Sequence, residues 1–480
     1  MRTALLALAL IATPVAAQVP GVEAARATFT QWMQANHVPG LVWGVVKDGK
    51  LVYAEGLGVA DVATQRPVTV DTAFRIASMS KAFTARTALG MVEAGKLRLD
   101  DPAAKYVPEL AGWAGGVTVG QLMHHTAGFV TDDPWGDRQQ PLPEAQFTAM
   151  LKAGVPFQRA PGTAYEYSNF GYATLGRVVT NVAGRNFADE IRDIVFRPLG
   201  MASTTYEVRD VPRDRLALPF RWQDGRWIPE PEMPAGAFGA MGGVVTTAND
   251  YAKWVAWLLS GWPVTAKAGQ PGGLQRAMRE GGGFTHFRTR PGTEGEACRQ
   301  QQLIYAAGLI AGTDCILGQV MFHSGGFPGY GSHMLLMPEA GVGIFAFANR
   351  TYAGPSAPVW DVAGQLARAG FIATRPVPVS ATLAEGYAAA RRIWDAKGVS
   401  GEQPHLAMNF LMDADEGMWS RQLAETTAQT GACDTSGPIK PDGALSGWFR
   451  WQCEKKVLEG QLLMAPSATP QIQALRLRLK

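Results

Sequence analysis

Between residues 40 and 61 the chain reads GLVWGVVKDGKLVYAEGLGVAD, two apolar runs flanking Asp48-Gly49. That dipeptide between apolar runs predicts a tight β-hairpin. In DTAFRIASMSKAFTARTALGMVEAGKL (71–97) the apolar positions recur at helical spacing from about Met79 and stop at Gly95. From there to about residue 300 the pattern is mainly helical, broken by Gly- and Pro-rich loops. TTANDYAKWVAWLLSG (246–261) is the clearest case, with Thr247 and Asp250 spaced as a capping box before an apolar helix. Residues 265–298 read as loop around one short helix.

The period changes again near residue 303. LIYAAGLIAG, ILGQVMFHSGG, SHMLLMPEAG and VGIFAFANR are short apolar runs divided by turn residues, each predicting a strand. Strands at both ends with helices between predict an antiparallel sheet made from both chain ends, with a helical segment inserted: an α/β plus α architecture. Prolines at 376 and 378 make 373–382 an extended linker. Helical stretches at 383–397 and 405–429 follow, then three strand-like runs. They predict a separate α+β module over 383–480, whose Trp394, Trp419, Trp448 and Trp451 read as core.

Composition narrows the class. The chain has 480 residues, 47% of them hydrophobic and 18% charged, with a formal net charge of only +3 and no basic run. That excludes nucleic acid as an expected partner. Residues 1–17 carry one charge at Arg2, a short apolar run and Val15-Ala16-Ala17, the pattern of a secretory leader cleaved after Ala17. No later segment has the length of a membrane span, so an exported, soluble product is expected, periplasmic or secreted. Export makes disulfides plausible chemistry, and the four cysteines lie as two local pairs, Cys298 with Cys315 and Cys433 with Cys453. No metal or cofactor motif is present, and His124-His125 read as structural.

Three short stretches carry candidate chemistry. In Ser78-Met79-Ser80-Lys81, positions 78 and 81 share a helix face, so the Lys81 amine lies beside the Ser78 hydroxyl, and Ser80 faces elsewhere. Taken alone, S-x-x-K is common, and a lysine on a solvated helix face is its ordinary meaning. In Tyr167-Ser168-Asn169 an extended backbone projects Tyr167 and Asn169 together. A lysine cation nearby would lower the tyrosine pKa from about 10 and let a tyrosinate act as base. In His323-Ser324-Gly325-Gly326 the glycines allow close backbone approach to a ligand.

The order S-x-x-K, Y-x-N, H-x-G resembles the serine β-lactamase and penicillin-binding-protein superfamily. The likeness is closest to its branch of class C β-lactamases, D-aminopeptidases, D-alanyl-D-alanine carboxypeptidases and esterases. GKLRLDDPAAKYVPEL, TVGQLMHHTAGF, FRPLGM and GGVVTTANDYAKW agree with it, and it covers residues 22–370, leaving the C-terminal module outside. The resemblance implies a β-lactamase/transpeptidase-like fold for residues 18–372 and acyl transfer through a serine ester. It implies Ser78 as nucleophile, Lys81 and Tyr167 as general base, and Asn169, His323, Ser324 and Gly325 as substrate-binding residues. The backbone N–H groups of Ser78 and Gly326 would form the oxyanion hole. The β-lactamases of this branch carry Lys-Thr-Gly where this chain has His323-Ser324-Gly325, so a permanent cation is replaced by a group with a free pKa near 6.5. Such an imidazole is mostly neutral at pH 7; if His323 anchors an anionic substrate, turnover of that substrate falls as the ring deprotonates, while neutral esters are unaffected. The substrate classes implied are small amides, D-residue peptides or esters. The rivals are a class C-like β-lactamase and a catalytically silent peptidoglycan- or partner-binding protein.

Overall fold

Strands β1 (Gly40–Lys47) and β2 (Lys50–Asp61) meet across the Asp48-Gly49 turn, with Lys47 opposite Lys50. Both turn residues have positive φ, 49° and 77°, the twist that a two-residue hairpin requires. The computed structural model describes residues 19–262, 272–288, 301–373 and 378–480. The predicted leader therefore lies outside the described residues. Seven more strands extend the sheet: β3 (Arg66–Pro67), β4 (Gly283–Arg288), β5 (Gln301–Tyr305), β6 (Ile310–Asp314), β7 (Gly318–Phe327), β8 (Tyr330–Met337) and β9 (Val342–Ala348). Their order is β3-β2-β1-β9-β8-β7-β6-β5-β4, so the first and last strands of the unit pair in the middle as β1 and β9.

The sheet is covered on both faces. Leu41, Trp43 and Val45 pack with Phe29 and Met33 of helix α1 (Val22–Ala35) and with Val359 and Trp360 of a helix at Ser356–Arg368. Val42 and Val46 alternate to the other face. There they join Phe83 of helix α2 (Lys81–Glu93) and Tyr251, Trp254 and Val255 of a helix at Ala248–Leu259. Each fully buried side chain of this size contributes about 1.5–3 kcal/mol, which explains why the central strands are apolar throughout rather than alternating.

The local pattern fails in identifiable places. LIYAAGLIAG is two strands, β5 and β6, divided at Ala306–Leu309, where the Ala306 N–H donates to the Leu309 carbonyl at 2.8 Å. Gly308 turns there with φ 72°, and a Cβ would lie 2.6 Å from Ala82 Cα, so the turn sits directly on α2. Strand β4 was hidden behind Gly281-Gly282-Gly283, which interrupt its apolar pattern. The capping box before Ala248 is half formed. Thr247 Oγ1 accepts from Asp250 N, while the Asp250 carboxylate accepts from Ser203 N and Thr204 Oγ1.

Contacts divide the chain into two units, Met1–Thr374 and Arg375–Lys480. In the second, a helix capped by Ser380 runs over Ala381–Ala396 and buries Leu383, Tyr387 and Ile393 against Phe449, Trp451 and Leu458. The sequence pattern over 405–429 is one helix, but the structure has a short helix at Phe410–Asp413 and a longer one at Glu416–Thr430. The three strand runs form an antiparallel sheet at Ser446–Cys453, Val457–Met464 and Ile472–Leu479. Trp394, Trp419 and Trp451 are core, whereas Trp448 stands 40% exposed on the outer face. A disulfide joins Cys433 to Cys453. Cys315 is also disulfide-bonded, and Cys298 lies outside the described residues. Among the described residues no helix is long and apolar enough to cross a membrane, and no cluster of metal-ligating side chains occurs.

Candidate active site

Ser78 does not open an α-helix. It lies in a 3-10 turn, Ala77–Ser80, and α2 starts at Lys81. Ala77 enters the turn with φ 50°, a left-handed conformation costly for a residue with a Cβ. Neighbours hold it from both sides. The Ile76 N–H donates to the Val244 carbonyl at 3.0 Å, Ser332 Oγ donates to the Ile76 carbonyl at 2.7 Å, and Ser80 Oγ accepts from Val244 N at 3.0 Å. Ser80 is thus structural, and Ser78 is left facing a cleft.

Lys81 is fully buried, which rules out the solvated-face alternative. Its Nζ donates to Ser78 Oγ at 2.9 Å, Asn169 Oδ1 at 2.8 Å and the Met241 carbonyl at 2.9 Å. Those three acceptors use every proton of an ammonium. The Tyr167 hydroxyl donates to Ser78 Oγ at 2.8 Å, and the Lys81 amine lies 4.9 Å from the centre of its ring. Ser78, Lys81, Tyr167 and Asn169 therefore meet at one point. Ser168 is extended and N-caps helix α3 (Asn169–Ala183), its Oγ accepting from Gly171 N, which turns Tyr167 and Asn169 toward the same lysine.

Burial orders the titrations differently from the sequence-based expectation. Desolvation lowers Lys81 to about 8, partly offset by the Asp133, Asp137 and Asp132 carboxylates. Desolvation, reinforced by Asp133, raises Tyr167 well above 10, so the expected tyrosinate is replaced by a neutral phenol in the resting site. Burial drives His323 down to about 3, with Lys81 adding to the effect. His323 is therefore neutral throughout the physiological range, in line with an imidazole whose free pKa already leaves it mostly uncharged at neutral pH. Its Nδ1 bonds the Ser324 carbonyl at 2.5 Å and its Nε2 pairs with the buried Tyr305 hydroxyl at 3.0 Å.

Strand β7 forms the second wall. Pairing with β6 ends at Phe322, so residues 323–327 run past the end of that ladder, beside the Ser78 turn. Ser324 Oγ bonds His333 Nδ1 at 2.8 Å across the strand pair. Gly325 is a packing residue: a Cβ there would lie 2.3 Å from both the Ile76 carbonyl oxygen and Ser332 Oγ. Gly325→Ala should push β7 off the Ser78 turn and cost about 1–3 kcal/mol, read by denaturant unfolding. An unchanged midpoint would show that the strand is not seated there. Gly326 borders the cleft together with Ser78, His323 and Ser324.

The cleft holds about 510 Å³, and Asp133, Asp137, Tyr305 and Tyr352 line it as well. None of these four was singled out from sequence. The signal was TDDPWGD (131–137), three carboxylates in seven residues between the first two motifs. Asp132 is consumed structurally, its two oxygens accepting from Asn169 N at 2.6 Å and Phe170 N at 2.7 Å at the start of α3. Asp133 Oδ1 accepts from Asn169 Nδ2 at 2.8 Å and orients that amide toward Lys81. His125 is structural, buried with Nδ1 accepting from Ser168 N at 3.1 Å.

A family model described as Beta-lactamase matches residues 25–369. A beta-lactamase of Escherichia coli (strain K12) is 27% identical over 349 residues, covering 68% of this chain and 89% of that protein. Protein flp of Staphylococcus aureus (strain MW2) is 26% identical over 330 residues, 66% of this chain but only 61% of its own length. Among solved structures, the octameric penicillin-binding protein homologue from Pyrococcus abyssi aligns with a TM-score of 0.60 at 21% identity, covering 93% of this chain and 91% of that one. At that identity the likeness is one of fold.

Proposed function

This chain belongs to the Beta-lactamase family, and from that premise we propose that it is an exported serine hydrolase acting on small amides, D-residue peptides or esters. The observation that carries the reading is Ser78 Oγ held 2.9 Å from a buried lysine amine and 2.8 Å from a phenol at the mouth of a cleft. Export is supported by the disulfide, which suits an oxidising compartment.

In this mechanism Lys81 acts as the base in its neutral amine form. Ser78 Oγ gives its proton to Lys81 Nζ and attacks the substrate carbonyl carbon, with oxyanion charge received by the backbone N–H groups of Ser78 and Gly326. Tyr167, a neutral phenol, donates its proton to the leaving group and is reprotonated by the Lys81 ammonium. Water then releases the acyl group, its proton returning through the same pair, and Ser78 is regenerated. Asn169 holds Lys81 in place and offers its amide to the substrate.

A β-lactamase role is the weaker reading. β-Lactams carry a carboxylate, and the position that would meet it is a neutral imidazole, with two carboxylates also lining the cleft. Like-charge juxtaposition costs several kcal/mol. An activated neutral ester is therefore expected to exceed a chromogenic cephalosporin in kcat/KM by about 100-fold or more. Comparable values would move the assignment to a β-lactamase. Turnover of neither, with no adduct on Ser78, would leave the silent binding protein.

A further inference from the structure

The charges around the cleft do not balance. Two carboxylates, Asp133 and Asp137, line it, and among the described residues no lysine or arginine does. Lys81 lies behind Ser78 with its three protons already committed. Arg138, next in sequence to Asp137, pairs instead with Glu230 at 3.2 Å.

Asp137 is the unusual member. It is only 2% exposed, yet it faces the cleft. The Tyr352 hydroxyl donates to its Oδ2 at 3.1 Å, and no hydrogen bond to Oδ1 occurs among the described residues. No cation pairs with it there either. Tyr352 itself has φ 54°, and its ring occupies the space where a Cβ on Gly326 would lie, 2.8 Å away. That residue therefore reaches from the Gly326 side of the cleft to orient the Asp137 carboxylate.

Asp137 is almost wholly buried and opens only to the cleft, and a carboxylate so placed is costly to charge unless a cation completes it. Burial and Asp133 raise Asp137 to about 7, offset in part by the Lys81 charge and the Tyr352 hydrogen bond. We propose that Asp137 is a specificity-determining residue that receives a substrate ammonium group, with Tyr352 orienting it, so that the cleft selects cationic over neutral and anionic substrates. The proposal rests on the reading of Ser78 as nucleophile and extends it by naming the charge of the substrate. Asp133, exposed at the same wall, adds attraction without direct contact.

The test uses matched p-nitroanilides. One series carries glycyl, β-alanyl and 6-aminohexanoyl groups beside their uncharged alkyl isosteres and their carboxylate counterparts. A second places the same three charges on the leaving amine of neutral acyl amides. At least one series should show a preference in kcat/KM for the ammonium over its neutral isostere of about tenfold or more, and over the carboxylate by more. In Asp137→Asn the ammonium-to-neutral ratio should collapse to within about threefold of unity, whatever the absolute rate. If that variant does not fold, inhibition of the wild-type protein decides. Butylammonium should inhibit hydrolysis of a neutral ester well below the concentrations needed for butanol or butyrate. No ammonium preference in either series, or a preference that persists in Asp137→Asn, overturns the proposal. A fluorophosphonate adduct on Ser78 separates the two failures, because its presence keeps the nucleophile assignment and its absence removes both.

Discussion

Ser78→Ala should lower turnover of an activated ester on the order of 10⁴-fold or more, with stability changed by about 1 kcal/mol at most. The variant deletes one oxygen, which accepts hydrogen bonds from Lys81 and Tyr167 and lies at the cleft surface. Lys81 retains Asn169 and Met241 as acceptors, and water can fill the vacated space beside Tyr167. The fold should therefore persist while the acyl-enzyme route closes. Steady-state kinetics and a thermal melt on the same preparation check this. Residual activity within tenfold of wild type would move the nucleophile elsewhere, with Ser80 excluded by its bond to Val244 N.

Removal of the lysine amine should be nearly as damaging. Lys81→Met keeps the length and apolar stem of the side chain and deletes the proton acceptor, with an expected loss of about 10²–10⁴-fold in kcat/KM. The pH dependence separates a base from a structural group. In wild type the amine must be neutral to accept the Ser78 proton, and burial places its pKa at about 8. Activity on a neutral ester should therefore rise with pH through about 8. Below that value Lys81 is an ammonium that only donates, so Ser78 keeps its proton. In Lys81→Met this rising limb should disappear. A limb that persists near pH 8 in the variant would assign the titration to another group and return Lys81 to a positioning role.

How much of this was legible in the sequence follows from what each feature depends on. The hairpin at Asp48-Gly49 and the choice of Ser78 over Ser80 rest on local geometry, and both can be read from a few residues. The strand pattern near 303–350 was legible because β8 and β9 are buried along their whole lengths and turn residues divide the apolar runs. Lys81 burial was not, since it is produced by Asn169 and Met241, 88 and 160 positions away. The same distance dependence explains His323. Its protonation is controlled by burial and by Lys81, neither of which has a local signature. Asp132, Asp133 and Asp137 sit in a segment with neither a helical nor a strand period. Their division into a helix cap, an amide orienter and a cleft carboxylate depends on α3 and Tyr352. Strand β4 was lost because three consecutive glycines conceal its start.

The central claim, that Ser78 is a nucleophile made reactive by Lys81, reduces to one covalent event. Intact-mass spectrometry of the wild-type protein after exposure to a fluorophosphonate, followed by peptide mapping, reads it directly. A single adduct on the peptide containing Ser78, absent in Ser78→Ala and strongly slowed in Lys81→Met, is the predicted result. An adduct on any other residue, or none on folded wild-type protein, would contradict the account.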